Sequence, residues 1–502
     1  MPLRDHEGIV IEEFMGLWAR GDADSTPQDH FSDCENVQYI QSGFRTRDGL
    51  DTFLPYANIV RMYTYVMQTG QSLLSLDTGG SIYHSASPAP YTPILTIAGM
   101  KDFGFIAIDG RAYINPCEIG TDLQGNQYLI GMQNESVYVY LGDGVAARKA
   151  GGAPPVGAGF AAANSGTAGS VEAGFHLFAV VYETNTGFLT ALGPALFASV
   201  TAPGAQKVNL SGIPVSPDSF VVARWIVATK RITNYNGNQE GYQFFFIPDS
   251  RIPNNIDTTK TVDFFDADLL DDASHLIDIF TNIPAGVGFT IYHNRLVTYA
   301  EFDNKSVIRV SAIGEPEAIN QVDGLMIVPL DGLPITNAQA YRDSLYCFKA
   351  TRTFGYADNG GEPSSWPFAV IDEGVGASPH GVALVLDSGG VNIEYLIVVD
   401  YSGIMIFNGT FIRPDNELTW KIKDFWLGLD RSVFLNIQIL NDSIGETIFC
   451  TLPDRKMLIG DYSLSLSMKE IRWAKWRFDI STNTIALFNT NTLLIGSSEA
   501  LP

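Results

Sequence analysis

From residue 35 onward the chain is a succession of short runs rich in Val, Ile, Tyr, Phe and Thr, separated by Gly, Asn and Asp, with helical periodicity almost absent. Runs of that length and composition suit a pleated, half-buried strand, and the residues between them accept the backbone of tight turns. The expectation is an all-β fold of antiparallel hairpins. Residues 59–67, 72–76 and 81–84, with the turn Asp77-Thr78-Gly79-Gly80, read as a meander. Residues 103–108 and 111–115 flank Asp109-Gly110, a strong two-residue hairpin signal, and 137–141 runs into Gly142-Asp143-Gly144. The pattern resumes at Phe289 with runs at 291–300, 306–311, 338–349, 352–357, 381–386, 393–400, 404–407 and 447–452. Near the end Trp476, Phe478 and Ile480 alternate with Lys475, Arg477 and Asp479, the pattern of a half-buried strand.

Hairpins that recur with Gly and aromatic labels but no strict period are what a degenerate β-propeller looks like in sequence. A large β-sandwich and a β-helix are the alternatives; the lack of a short fixed period argues against the helix, and length against a single sandwich. Composition shifts at 146–170, where Ala, Gly and Pro nearly exclude other residues, including Gly151-Gly152-Ala153-Pro154-Pro155. That run reads as a linker or extended arm. After it, strands at 173–182, 188–200, 207–210, 220–229 and 242–247 have the number and turn spacing of a small immunoglobulin-like sandwich. The expected organisation is an N-terminal arm (1–24), a first part of a propeller (25–155), an inserted β-sandwich (156–284), a second part of the propeller (285–490) and a C-terminal tail (491–502).

The 502 residues carry 55 acidic and 31 basic side chains, a formal charge of −24. Attraction to nucleic acid comes from Lys and Arg neutralising phosphates, so a DNA-reading domain is not expected. An acidic wall would let a duplex slide past; net acidity also serves solubility alone. With only 17% charged and 46% hydrophobic residues, much of the surface is uncharged, which suits permanent contact with neighbouring subunits, although a free-standing secreted β-protein has a similar composition. Cys34, Cys117, Cys347 and Cys450 have no metal-ligand spacing and read as buried thiols. The first ten residues lack the apolar core of a signal peptide, and no run reaches the length of a membrane span. Assembly in a cytoplasm is the expectation.

No catalytic constellation assembles along the chain. The cluster Asp263, Asp266, Asp268, Asp271 and Asp272 has the oxygen ligands a calcium loop needs but neither the order nor the distal Glu of an EF-hand, and reads as a solvated connector. Asp22, Asp24 and Asp29 have the same standing. A glycoside hydrolase needs two carboxylates about 5–10 Å apart in one pocket; Glu315, Glu317, Asp372, Glu373 and Asp400 are eligible by type, but linear spacing pairs none of them. Trp366, Trp420, Trp426 and Trp473 could stack sugars, and such residues are more often core or interface anchors. The seven His form no HExxH, the Ser residues no GxSxG, and the Gly-rich stretch 157–169 no phosphate loop. No catalytic, cofactor-binding or metal-binding residue is assigned, and no cofactor is expected.

Several segments resemble one family. Asp33-Cys34-Glu35-Asn36-Val37-Gln38-Tyr39 and Gly43-Phe44-Arg45-Thr46-Arg47-Asp48-Gly49-Leu50, with Gly16-Leu17-Trp18-Ala19-Arg20 upstream, read as strand, turn and strand. They resemble the opening of the β-propeller tail proteins of short-tailed bacteriophages, the tail nozzle and tail hub proteins. Residues 141–155 are similar to that family's Arg-containing, Gly- and Pro-rich exit from the propeller. Tyr182-Glu183-Thr184 through Gly187, Leu192-Gly193-Pro194, and 208–214 leading to Ala223-Arg224-Trp225-Ile226-Val227 resemble its fibronectin-like insertion. His293-Asn294-Arg295-Leu296 and 311–317 resemble the return to the propeller. The resemblance implies a structural virion protein, a homo-oligomeric and most readily hexameric ring at the tail axis through which double-stranded DNA is ejected without specific binding. Its implied partners are adaptor or portal-proximal tail proteins and tail fibres. No long tail-tip extension is visible, which leaves nozzle, connector ring and hub open. A receptor- or carbohydrate-binding propeller is the alternative.

Overall fold

The computed structural model describes residues 17, 35–40, 43–46, 50, 58–67, 70–85, 92–122, 125–157, 159–192, 198–235, 242–277, 282–320, 322, 324–329, 331–387, 393–411, 417–463, 471–489 and 492–499, and every structural statement concerns these. Cys34, Asp22, Asp24 and Asp29, and all of the expected arm 1–24 except Leu17, lie outside them.

The fold is all-β, built of small antiparallel sheets. A hairpin of β1 (Val37–Ile40) and β2 (Gly43–Thr46) precedes a meander of β3 (Ile59–Met67), β4 (Gly70–Asp77), β5 (Ser81–His84) and β6 (Leu95–Thr96). A second sheet holds β7 (Asp102–Ile108), β8 (Arg111–Thr121), β9 (Gln127–Gly131), β10 (Tyr138–Tyr140) and β11 (Arg148–Lys149). Two sheets follow that share one core: β12 (Ala161–Val171), β15 (Gln206–Ser211) and β18 (Thr259–Val262) in one, and β13 (Gly174–Thr184), β14 (Ala198–Ala202), β16 (Val221–Thr229) and β17 (Phe244–Phe246) in the other. Meanders then resume: β19 (Gly288–Tyr292), β20 (Arg295–Tyr299), β21 (Val307–Val310) and β22 (Leu325–Ile327); β23 (Ile335–Tyr341), β24 (Ser344–Lys349), β25 (Thr353–Tyr356) and β26 (Phe368–Asp372); and β27 (Val382–Asp387), β28 (Ile393–Asp400) and β29 (Gly403–Phe407). The last are β30 (Ile439–Asp442), β31 (Thr447–Leu452), β32 (Lys456–Asp461) and β33 (Arg472–Arg477), then the hairpin β34 (Thr484–Phe488) and β35 (Thr492–Gly496).

The leading strands of the meanders follow one another around a circuit. β3 packs on β7, β7 on β19 and β19 on β23; Asn337 of β23 then reaches Pro379 just before β27 (2.8 Å). β27 packs on β30, β30 on β34, and β34 returns to β3. Backbones approach closely where sheets meet. A Cβ on Gly131 would lie 1.8 Å from the Ala285 carbonyl oxygen, and one on Gly104 would lie 2.3 Å from that of Val287. The circuit closes through the final hairpin, since Ile59 N donates to Ser497 O (2.7 Å) and Ile59, Met62 and Leu73 share a core with Ala486 and Leu494. The start of the chain is strapped to the last meander: Leu17 N donates to Trp473 O (2.9 Å), Asn36 N to Lys475 O (2.7 Å), and Trp476 Nε1 to Val37 O (2.6 Å).

Most expected strands are present, and the exceptions have physical reasons. At Asp109-Gly110 both residues take positive φ (50° and 76°), as the two-residue turn requires. The run 291–300 is two strands rather than one, because His293 and Asn294 (φ 46° and 60°) make such a turn inside it. Arg342-Asp343 likewise divides 338–349. The run 146–170 is a linker only over about its middle: Arg148–Lys149 is the edge of the second sheet, and Ala161–Val171 is an eleven-residue strand despite its Ala and Gly content, held by pairing with β15. The run 188–200 is not one strand; Leu189 bridges Glu183, and β14 begins at Ala198. Within the expected tail 491–502, Leu493, Leu494 and Ile495 belong to β35, since that apolar run packs against β34 and β3.

Candidate functional site

Two buried polar assemblies stand out, one at the centre of the circuit and one where the paired sheets of residues 161–277 meet it. At the centre, Arg61 of β3 donates through Nε and Nη2 to both oxygens of Asp102 on β7 (2.9 and 2.8 Å) and through Nη1 to Gln438 Oε1 (3.2 Å). Gln438 precedes β30; its Oε1 also accepts from Thr484 Oγ1 (2.8 Å) and Ile485 N (3.0 Å) on β34, and its Nε2 donates to Ile485 O (3.0 Å). His380, before β27, holds Asp102 Oδ2 at 2.8 Å through Nε2, and its Nδ1 lies 3.3 Å from the Tyr63 hydroxyl. A carboxylate only accepts, so Nε2 carries the proton and, in the neutral ring, Nδ1 accepts from Tyr63.

The electrostatics follow from burial. Desolvation alone would push the Asp102 carboxyl up, but Arg61 and His380 together hold it well below the usual carboxylate range. Burial, then the neighbouring Arg61 charge, pull His380 below its ordinary value, against the opposing pull of Asp102. Burial pushes the Tyr63 phenol far up. Such a chain can hold protons in place. The adjoining cavity, about 380 Å³, is lined by Arg61, Asn436, Thr451, Arg455 and Asn483 but reaches neither Asp102 nor His380.

The second assembly joins segments far apart in sequence. Arg148 Nη2 donates to both oxygens of Glu317 (3.1 and 2.9 Å). The turn after β13 surrounds the pair: Arg148 donates to Asn185 Oδ1 (2.9 Å), Thr184 Oγ1 (3.2 Å) and Thr186 Oγ1 (2.5 Å), and Thr186 donates to Glu317 Oε1 (2.5 Å). Gly151 N donates to Glu317 Oε2 (2.8 Å). Beside it lies a cleft of about 180 Å³ lined by residues including Arg111, Tyr113, His275, Glu315 and Glu317, next to one of about 330 Å³ that shares His275 and Glu315 and adds Arg295 and Glu362.

Of the carboxylates eligible for glycoside chemistry, Glu315 and Glu317 line the same cleft. Glu317 is engaged by Arg148; Asp400 caps a turn, accepting from Ser402 N (2.8 Å) and Gly376 N (3.1 Å); Asp372 Oδ1 accepts from Gly374 N and Val375 N (2.7 and 2.8 Å). Of the aspartates at 263–272, Asp263 accepts from Ser170 N (2.6 Å), Asp266 from Arg231 N (2.7 Å) and Asp272 from Ser274 N (2.8 Å). Among the described residues no three His, Cys, Asp or Glu gather as a metal site would require. Trp366, Trp426 and Trp473 are buried, their indole nitrogens bound to the Gly361, Asp400 and Leu418 carbonyls (3.1, 3.2 and 2.9 Å), so they anchor cores; Trp420 is half-buried. Cys117, Cys347 and Cys450 are buried and unpaired with one another, and burial pushes each thiol up, Cys450 to about 12, which leaves them inert.

Another buried chain, Ser72 Oγ to His84 Nε2 and His84 Nδ1 to Tyr140 Oη (both 2.8 Å), has the order of a nucleophile, base and orienting group. Ser72 is 2% exposed, so no substrate reaches it. Sequence reading missed all three networks, because their members are scattered singly among strand residues.

No family model matches the chain, and no curated protein does. Among solved structures, apo AztD from Citrobacter koseri is similar over 88% of this chain and 90% of that chain, at 11% identity and a TM-score of 0.31. A likeness that slight carries no argument about this protein. No helix among the described residues is long and apolar enough to cross a membrane.

Proposed function

We propose that the circuit of meanders is a β-propeller, that the paired sheets within residues 156–284 are an inserted fibronectin- or immunoglobulin-like sandwich, and that the chain is a non-enzymatic structural component of a bacteriophage tail. In this reading several copies, six by the family resemblance, form a nozzle or hub ring at the tail axis. The observation that carries the reading is the buried polar network that ties β3, β7 and β34 to the residues just before β27 and β30. Where a propeller enzyme presents groups to a pocket, Arg61, Asp102, His380 and Gln438 are tied to one another and to backbone, and spend their hydrogen bonds on holding sheets together. A scaffold needs that and little else. In this reading DNA passes between copies rather than through one.

Electron microscopy of the purified protein and of intact particles tests this. Rings, and density for the protein at the tail axis, are expected; a chain absent from virions sinks the proposal. The reading as a glycan binder draws on one feature, the half-buried Phe175 and Tyr235 rings stacked 4.0 Å apart beside Tyr242. A monomer that binds host polysaccharide, and loses binding in Tyr235→Ala, would favour it instead.

A further inference from the structure

We infer that the turn at Thr184–Gly187 is the keeper of a latch that locks the sheets of residues 161–277 to the circuit in one orientation. Both charges belong to the circuit side: Arg148 ends its second sheet and Glu317 follows β21. The other side brings no charge to the pair. It brings Thr184, Asn185 and Thr186, which accept from Arg148 Nε and Nη2, while Nη1 is taken by the Lys149 and Gly151 carbonyls (2.8 and 3.3 Å). With the turn seated, Arg148 and Glu317 side chains are 2% and 3% exposed. With the turn withdrawn, Nε loses its acceptor and the pair must take up water, so opening and hydration of the pair are a single event.

Packing reinforces the same joint. β13 is buried on both faces: His176, Phe178, Val180 and Tyr182 face the three-stranded sheet, while Leu177, Ala179 and Val181 pack with Phe188, Leu192, Leu276 and Ala318. Glu317 also anchors the connector 151–160 at its first residue through Gly151 N. The latch therefore fixes orientation and connector together, and releasing the keeper turns the connector into a hinge.

The test places one spin label on each side, at V215C and I444C in a C34S background, both native side chains being exposed (45% and 71%). Pulsed distance measurement on the full chain is expected to give one narrow distance. The T184V/T186V double variant is expected to broaden it, with elastase cleavage within 151–160 rising about tenfold as the open population grows. T186S, which keeps the hydroxyl, is expected to behave as the parent. If the double variant does not fold, N185A, which removes only the Nε acceptor, carries the same readout. A broad distribution in the parent, keeper variants as narrow and protease-resistant as the parent, or T186S as broad as the valine variants would each overturn the inference.

Discussion

Asp102 shows what a buried charge does in this chain. It is buried, and each of its oxygens has two donors: Oδ1 accepts from Arg61 Nε and Phe103 N (2.9 and 2.7 Å), and Oδ2 from Arg61 Nη2 and His380 Nε2 (both 2.8 Å). Asp102→Asn keeps the shape and strands the guanidinium; removing one partner of a buried pair costs about 3–5 kcal/mol, so the urea midpoint is expected to fall sharply with the strand signal of the residual folded state unchanged. His380 gives the network a pH dependence of definite sign. Its folded value is pulled below the ordinary 6.5 by burial first and Arg61 second, so its contribution is present above that value and is lost as pH falls from there toward the lowered one. Denaturation of the parent at pH 7 and pH 5 should show the loss. His380→Gln should show less of it, the remainder tracing to His84, which burial lowers in the same direction.

Among the elements, the closing hairpin β34–β35 joins the polar network to an apolar core. It supplies Thr484 and Ile485 to the central network and covers Ile59, Met62 and Leu73. Ending the chain at residue 480 is expected to leave Gln438 Nε2 without its acceptor and that apolar face bare, giving a protein that binds ANS and aggregates; a truncated chain that stays monomeric with an unchanged melting temperature would show that closure lies elsewhere. The elements were also where the sequence was easiest and hardest to read. Asp109-Gly110 announces itself because few residue pairs accept two positive φ values. His293-Asn294 adopts the same turn unannounced, because it sits inside an apolar run and His is no turn former. β12 was hidden for the opposite reason: its Ala, Gly and Ser carry no strand signal, and neighbours rather than propensity hold it extended. The polar networks were illegible, since residues 61, 102, 380, 438 and 484 become neighbours only once the circuit closes. The segments containing Arg148, Thr184 and Glu317 each drew attention singly, but nothing in their spacing said that they touch.

At the scale of the whole molecule, charge and closure act together. A chain with a formal charge of −24 gives a duplex little to hold, and exposed charges act only over about a Debye length, roughly 8 Å at physiological salt. The assembled protein is therefore expected not to retain duplex DNA in a filter or gel-shift assay at physiological salt, and tight, salt-sensitive retention would overturn the idea of a passive conduit. The strap that ties the start of the chain to β33 sets a clock on synthesis. Val37 accepts a hydrogen bond from Trp476, 439 residues later. At about 5–20 residues per second a ribosome needs roughly 20–90 s to cover that interval. Residues around Val37 thus emerge long before the strand they dock on, and for all that time they wait outside the tunnel, available to chaperones and to neighbouring nascent chains.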